Sequence, residues 1–234
     1  MYFIGCKDSE NKWVRPPFKA EMLFFIINRR IYCFFVPLHE RQKTIFQQIQ
    51  VQHFRHMKIG IYCSANDNID PDFFAATEEL GRWCGKNGHS IVFGGCDFGL
   101  MKCVSETGKS AGATIIGVVP SIIEQRGKVS KILDVEIPCD NLSDRKDLIV
   151  AQSDVFVALP GGLGTLDEIF TVAAAASIGY HNKVVILYNM KGFWNSTIAM
   201  LNDMQGRGFI RGQWNERIKV ADTLEDVTKL IESL

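Results

Sequence analysis

From residue 57 onward, short apolar runs alternate with longer stretches whose apolar positions recur every three or four residues. Lys58–Cys63, Ser90–Phe93, Thr114–Val119, Asp134–Pro138, Asp154–Leu159, Lys183–Tyr188 and Arg217–Val220 are the short runs, and they predict strands. Phe73, Phe74, Thr77, Leu80, Trp83 and Cys84 recur at helical spacing, with Asp70 placed to cap, Pro71 at the first helical position and Gly88 at the stop. Further helices are predicted up to about Ala111 and over Asp144–Gln152, Thr165–Ile178, Phe193–Gln205 and Thr223–Leu234. Thr223 is the expected N-cap of the last, with Asp226 in a capping-box-like position. Apolar strands alternating with helices imply βαβ units. The expected fold is α/β, a Rossmann-like doubly wound parallel sheet of about seven strands with helices on both faces.

The first 56 residues read differently. Met22–Ile27 and Ile31–Leu38 are apolar, but Asn28, Arg29 and Arg30 interrupt them. Neither run approaches the ~20 apolar residues of a membrane helix. No small-residue cleavage site follows, so a secretory leader is not expected. Residues 1–56 are read as an N-terminal extension of uncertain structure, with a short amphipathic anchor as the other reading. Residues 57–234 are read as one Rossmann-like domain.

Composition narrows the partners. Lys and Arg number 26, and so do Asp and Glu. This balance favours neither nucleic acid nor an anionic membrane as a partner. The seven cysteines form no C-x-x-C pair and lie mostly in apolar segments. They are expected to be reduced core residues of a cytoplasmic protein, and no metal site is expected. His89 and His181 are isolated in sequence and are expected at the surface or in loops.

In open α/β sheets, ligands bind beyond the carboxyl ends of the strands. Two Gly-rich loops fall there, Gly94-Gly95-Cys96-Asp97-Phe98-Gly99 and Pro160-Gly161-Gly162-Leu163-Gly164-Thr165. Each follows a strand and opens a helix, where free N–H groups and a partial positive charge suit a phosphate. Neither is a P-loop or a G-x-G-x-x-G dinucleotide loop. Glu168 lies one helical turn beyond Thr165, so both can face one mouth. Arg145 and Lys146 sit in the preceding helix. By spacing alone, Arg145 and Lys146 equally suit a solvated helix face, and Glu168 an ordinary first-turn position favoured by the helix dipole. Gly108-Lys109-Ser110-Ala111-Gly112 matches G-x-S-x-G, but a helix precedes it where a hydrolase elbow needs a strand. The Ala173–Ala176 run points to close helix packing.

Pro160–Glu168 matches the P-G-G-x-G-T-x-x-E signature of the LOG ("lonely guy") family of nucleoside 5′-monophosphate phosphoribohydrolases. Arg145-Lys146 matches that family's preceding R-K pair. Gly94-Gly95 with Gly99-Leu100-Met101 is similar to its G-G-G-x-x-G-L-M stretch, and Ser153–Leu159 resembles the strand entering its motif. The resemblance runs from Met57 to the C-terminus. Cys96 replaces the third glycine, with one more residue before Gly99, and Lys102 stands where the family has glycine. Both departures fall at the end that holds the base.

The resemblance implies hydrolysis of the N-glycosidic bond of a purine nucleoside 5′-monophosphate, a cytokinin nucleotide or AMP, releasing base and ribose 5-phosphate. It assigns catalysis to Arg145 and Glu168. Gly94, Gly95, Met101, Lys146, Gly161, Gly162, Gly164 and Thr165 would bind the substrate. It implies no cofactor, and a homodimer or larger homo-oligomer whose interface includes the Ala-rich helix. The lysine decarboxylase label often given to such proteins would need a pyridoxal phosphate site, for which the sequence offers no support. The alternative is a non-catalytic protein of the same fold that holds a phosphorylated ligand, such as a molybdenum-cofactor carrier.

Overall fold

The computed structural model describes residues 56–234 and, ahead of them, four short strands. The chain divides into two compact units, Met1–His53 and Phe54–Leu234. In the first unit, β1 (Cys6–Lys7) pairs antiparallel with β2 (Trp13–Val14), and β3 (Glu21–Ile27) with β4 (Arg30–Val36). The two apolar runs of the extension are thus the arms of a β-hairpin, in register from Glu21↔Val36 to Ile27↔Arg30. The rest of the extension lies outside the described residues. Among the described residues, no helix is long and apolar enough to cross a membrane.

The second unit contains β5 (Lys58–Tyr62), α1 (Pro71–Lys86), β6 (Ser90–Phe93), α2 (Gly99–Ser110), β7 (Thr114–Pro120), α3 (Ser121–Gln125) and β8 (Val135–Cys139). It continues through α4 (Leu142–Gln152), β9 (Val155–Ala158), α5 (Leu163–Ser177), β10 (Val185–Tyr188), α6 (Asn195–Gly206), β11 (Ile218–Ala221) and α7 (Leu224–Glu232). All seven strands from β5 onward join one sheet of order β11-β10-β9-β5-β6-β7-β8, and every pairing in it is parallel. The Rossmann-like, doubly wound expectation holds. The chain enters the sheet at its centre, fills one half outward to β8, then returns beside β5. The strand order therefore reverses between β5 and β9, which is where such sheets bind ligands.

Each strand sends alternate side chains into two apolar layers. Ile59, Ile61 and Cys63 pack in one, with Leu80 and Cys84 of α1, Leu100 and Val104 of α2, and Val227 and Ile231 of α7. Tyr62 packs in the other, with Ile149 of α4, Ile169 and Val172 of α5, and Trp194 and Leu201 at and on α6. This alternation puts Tyr62 on the same side of the sheet as Arg145 and Glu168.

Capping explains where several helices begin. Asp70 accepts from the Asp72 N–H, and Thr223 from the Asp226 N–H, as expected. Helix α4 begins at Leu142, ahead of the expected Asp144, because Asn141 accepts from the N–H groups of both Ser143 and Asp144. The short α3 was not expected at all. It directly follows Pro120 and is too brief to show a periodic pattern.

His89 is a correction. It is 2% exposed, packs tilted against the Trp83 ring, and accepts from the Met57 N–H through Nδ1. A single isolated position gives no period from which burial can be read. Among the cysteines, Cys63, Cys84 and Cys139 are buried and free, whereas Cys96 and Cys103 are free and half-buried. Ser110 of the G-x-S-x-G match ends a helix, and its hydroxyl donates to the Glu106 carbonyl.

Candidate active site

Helix α5 carries the first half of the site. Its inward stripe is Thr165, Glu168, Ile169, Val172 and Ala176. The first two positions of a stripe that otherwise forms core are therefore polar. Thr165 is 3% and Glu168 5% exposed. Burial pushes the Glu168 carboxyl up to about 7. The Arg145 guanidinium opposes this, Asp167 reinforces it, and Lys146 opposes it. A carboxyl in that range is partly ionised at neutral pH, as a poised proton acceptor needs to be.

Helix α4 carries the second half. Arg145 sits in its first turn and approaches Glu168 with Nη1 3.5 Å from Oε1. Its side chain is 16% exposed, and its Nε is buried without a hydrogen-bond partner among the described residues. Gly94 explains how the guanidinium reaches that position. A Cβ at residue 94 would fall on Arg145 Nη2 and crowd Cζ, so the absent side chain is the space the guanidinium occupies. The first Gly-rich loop thus serves the Arg145–Glu168 pair from behind. Lys146, next along α4, donates to Asp167 Oδ1 at 2.8 Å.

The two helix starts behind the Gly-rich loops are not equivalent. At α2, the Gly99 N–H donates to Asp67 Oδ1 at 2.8 Å and the Leu100 N–H to the Ser64 carbonyl at 2.9 Å. The loop after β5 thus fills that terminus, and Gly99 turns under it at φ +57°, a conformation that favours glycine. At α5, Gly162 precedes the helix with no side-chain cap, and no described residue accepts from the N–H of Leu163, Gly164 or Thr165. The Thr165 side chain lies against Gly161, where a Cβ would strike its Oγ1. A Cβ on Gly162 or Gly164 would meet nothing. No described residue crowds those two positions, and the space beside them suits a ligand that approaches the backbone closely.

The sequence-derived residues therefore separate into groups. Gly161, Gly162, Gly164 and Thr165 form the open terminus of α5. Arg145 and Glu168 meet one turn behind it, with Gly94 backing Arg145. Gly95 is buried at φ +69° beside Val119, and Met101 packs in the core layer beneath α2 at 8% exposure. Lys146 is turned to Asp167. Two further residues escaped the sequence reading. Asp167 is the partner of Lys146, and its only signal was its place beside Glu168. Tyr62 is 1% exposed and stacks on Phe156 at 5.3 Å between ring centroids. Burial and then the Glu168 charge push its phenol well above the usual tyrosine range. Within the apolar run of β5 nothing in the sequence set it apart.

Residues 101–231 match the sequence profile of a family described as possible lysine decarboxylase. The chain is 30% identical over 186 residues to the probable cytokinin riboside 5′-monophosphate phosphoribohydrolase LOGL3 of Oryza sativa subsp. japonica, covering 80% of this chain and 88% of the relative. It is likewise 30% identical over 186 residues to the cytokinin riboside 5′-monophosphate phosphoribohydrolase LOG3 of Arabidopsis thaliana, covering 80% and 86%. Among solved structures, the molybdenum cofactor carrier protein MCP from Chlamydomonas reinhardtii aligns with a TM-score of 0.60 at 22% identity, over 76% of this chain and 98% of that one. That last likeness is one of fold. On the profile match and these relatives, the chain belongs to the LOG family.

Proposed function

We propose that this protein hydrolyses the N-glycosidic bond of a purine nucleoside 5′-monophosphate, releasing the free base and ribose 5-phosphate. The observation that carries this reading is the buried Glu168 carboxyl, paired with Arg145 one turn behind a helix terminus whose first three N–H groups meet no acceptor among the described residues. Such a terminus suits a phosphate dianion, with the Thr165 hydroxyl as a further donor. A phosphate seated there sets the ribose against Glu168.

As the base leaves, positive charge builds on the sugar carbons and ring oxygen. An ionised Glu168 stabilises that charge, and with its proton affinity near neutrality it accepts a proton from the attacking water. The C–N bond breaks, its electron pair leaves with the base, and the water oxygen bonds to the anomeric carbon. Arg145 fixes the carboxylate and offers its unpartnered Nε to a phosphate or ribose oxygen. The names of the relatives support a nucleoside monophosphate as substrate.

The rival is a protein that retains a phosphorylated ligand, such as a molybdenum cofactor, without turnover. A retained ligand has no use for a partly protonated carboxyl buried beside the phosphate cradle, since that group repels an anion whenever it ionises. Incubation with AMP, followed by chromatography for adenine and ribose 5-phosphate, separates the two. Stoichiometric binding of AMP with no adenine would defeat the hydrolase reading. A dimer through α5 accords with the exposure of Leu163 at 87% at its start and Ile178 at 68% just past its end, and sedimentation velocity tests it.

A further inference from the structure

Two consecutive basic residues of α4 face two consecutive acidic residues of α5. Arg145 meets Glu168 at 3.5 Å, and Lys146 meets Asp167 at 2.8 Å. The Lys146 side chain is 20% exposed, so its ammonium is largely committed to this contact, whereas Asp167 is half open to solvent at 54%. Arg145 has no described hydrogen bond that holds its guanidinium, and its Nε has no partner. Its guanidinium lies in the space left by the absent side chain at Gly94 and against Glu168, and the Lys146–Asp167 ion pair lies one residue along.

We propose that Lys146 and Asp167 are positioning residues, a paired charge that fixes α4 against α5 at the site and balances the charge felt by the Glu168 carboxyl. This rests on the phosphoribohydrolase reading for its catalytic consequence. The charged groups that act on Glu168 are Arg145 and Lys146 on α4 and Asp167 on α5 itself, and Tyr62 at the end of β5 and Cys63 just beyond it face the carboxyl and feel its charge. Asp167 drives the Glu168 carboxyl toward its neutral form, and Lys146 drives it toward its ionised form. Burial and then Arg145 act most strongly on that carboxyl, and while the pair is intact its two smaller influences oppose each other. Loss of either partner unbalances it, in opposite directions. A reading in which Lys146 merely binds substrate gives no role to Asp167. A reading in which the pair is only a structural clasp makes the loss of either partner equivalent.

The test uses the full chain with Asp167→Asn, Lys146→Met and the double variant. Glu168 is titrated by carbon-13 NMR of labelled glutamate carboxyls, its signal assigned by its absence from Glu168→Gln. The acid limb of kcat/KM for AMP is measured in parallel. Asp167→Asn is expected to move the Glu168 midpoint to lower pH and Lys146→Met to higher pH, with the double variant returning near the parent. On the acid limb these shifts appear as about a two- to threefold gain and loss of kcat/KM, the scale for a partly exposed unit charge screened by solvent. Midpoints of both single variants that move in the same direction, or that do not move, overturn the proposal. If circular dichroism shows Lys146→Met to be unfolded, Lys146→Gln takes its place. The titration does not depend on turnover. A protein that releases no adenine yet shows opposed midpoint shifts would overturn the hydrolase reading and leave the charge balance standing.

Discussion

Glu168→Gln should make the protein more stable as it makes it inactive, and the gain should appear only above a defined pH. Glu168 is 5% exposed, and its carboxyl sits at about 7 in the folded protein against the ordinary 4.5 of a glutamate. Its neutral form is therefore favoured by folding. The stability this confers is fully present below pH 4.5 and is lost as pH rises from 4.5 through 7. The gap from 4.5 to about 7 corresponds to about 3 kcal/mol at ~1.36 kcal/mol per pH unit. That figure already contains the attraction of Arg145, because the pair acts on the same equilibrium. Glutamine imitates the neutral carboxyl in shape and does not ionise. At pH 4 the variant and the parent should melt together. Above pH 7 the variant should be more stable by about 3 kcal/mol, roughly 6–12 °C in Tm for a domain of this size. Adenine release from AMP should fall by ~10²–10³ or more, the usual effect of removing a key electrostatic group, while AMP still binds. Calorimetry across pH 4 to 8 with parallel adenine assays decides the matter. A Tm difference independent of pH would refute the buried-carboxyl argument, and near-parent turnover would refute the catalytic role.

The remaining predictions concern the support around this group. Gly94→Ala places a methyl where the Arg145 guanidinium lies, so adenine release should fall by ~10²-fold, as for other displaced catalytic groups, with far-UV circular dichroism unchanged; parent-level kcat would show that Gly94 does not seat Arg145. AMP should be cleaved far better than adenosine, because phosphate held at α5 orients the ribose as well as binding it; equal rates on the two would remove the phosphate site. Thr165→Val should cost about 1.5–3 kcal/mol in kcat/KM for AMP with little change for adenosine, and an equal loss on both substrates would place the hydroxyl elsewhere. A chain beginning at Met57 is expected to fold and release adenine, since every site residue lies later; an insoluble or inactive product would make the extension part of the domain.

Periodicity and punctuation carried most of the fold. The parallel strands announced themselves as apolar runs because a sheet covered on both faces admits no polar alternation, and Asp70, Pro71 and Thr223 marked helix starts through local hydrogen-bond chemistry that needs no tertiary context. The same local rules could place Gly-rich loops at strand ends, but they treated the two loops alike. Only the folded chain distinguishes them, because the loop bearing Ser64 and Asp67 reaches across 32 or more residues of sequence to occupy one helix terminus and leaves the other open. Glu168 on α5 and Arg145 on α4 are compatible, as a pattern, with two solvated helix faces. Their burial, and the proton affinity that follows from it, arises because the reversal of strand order between β5 and β9 brings α4 and α5 together over Tyr62, a proximity between distant segments that no local pattern encodes.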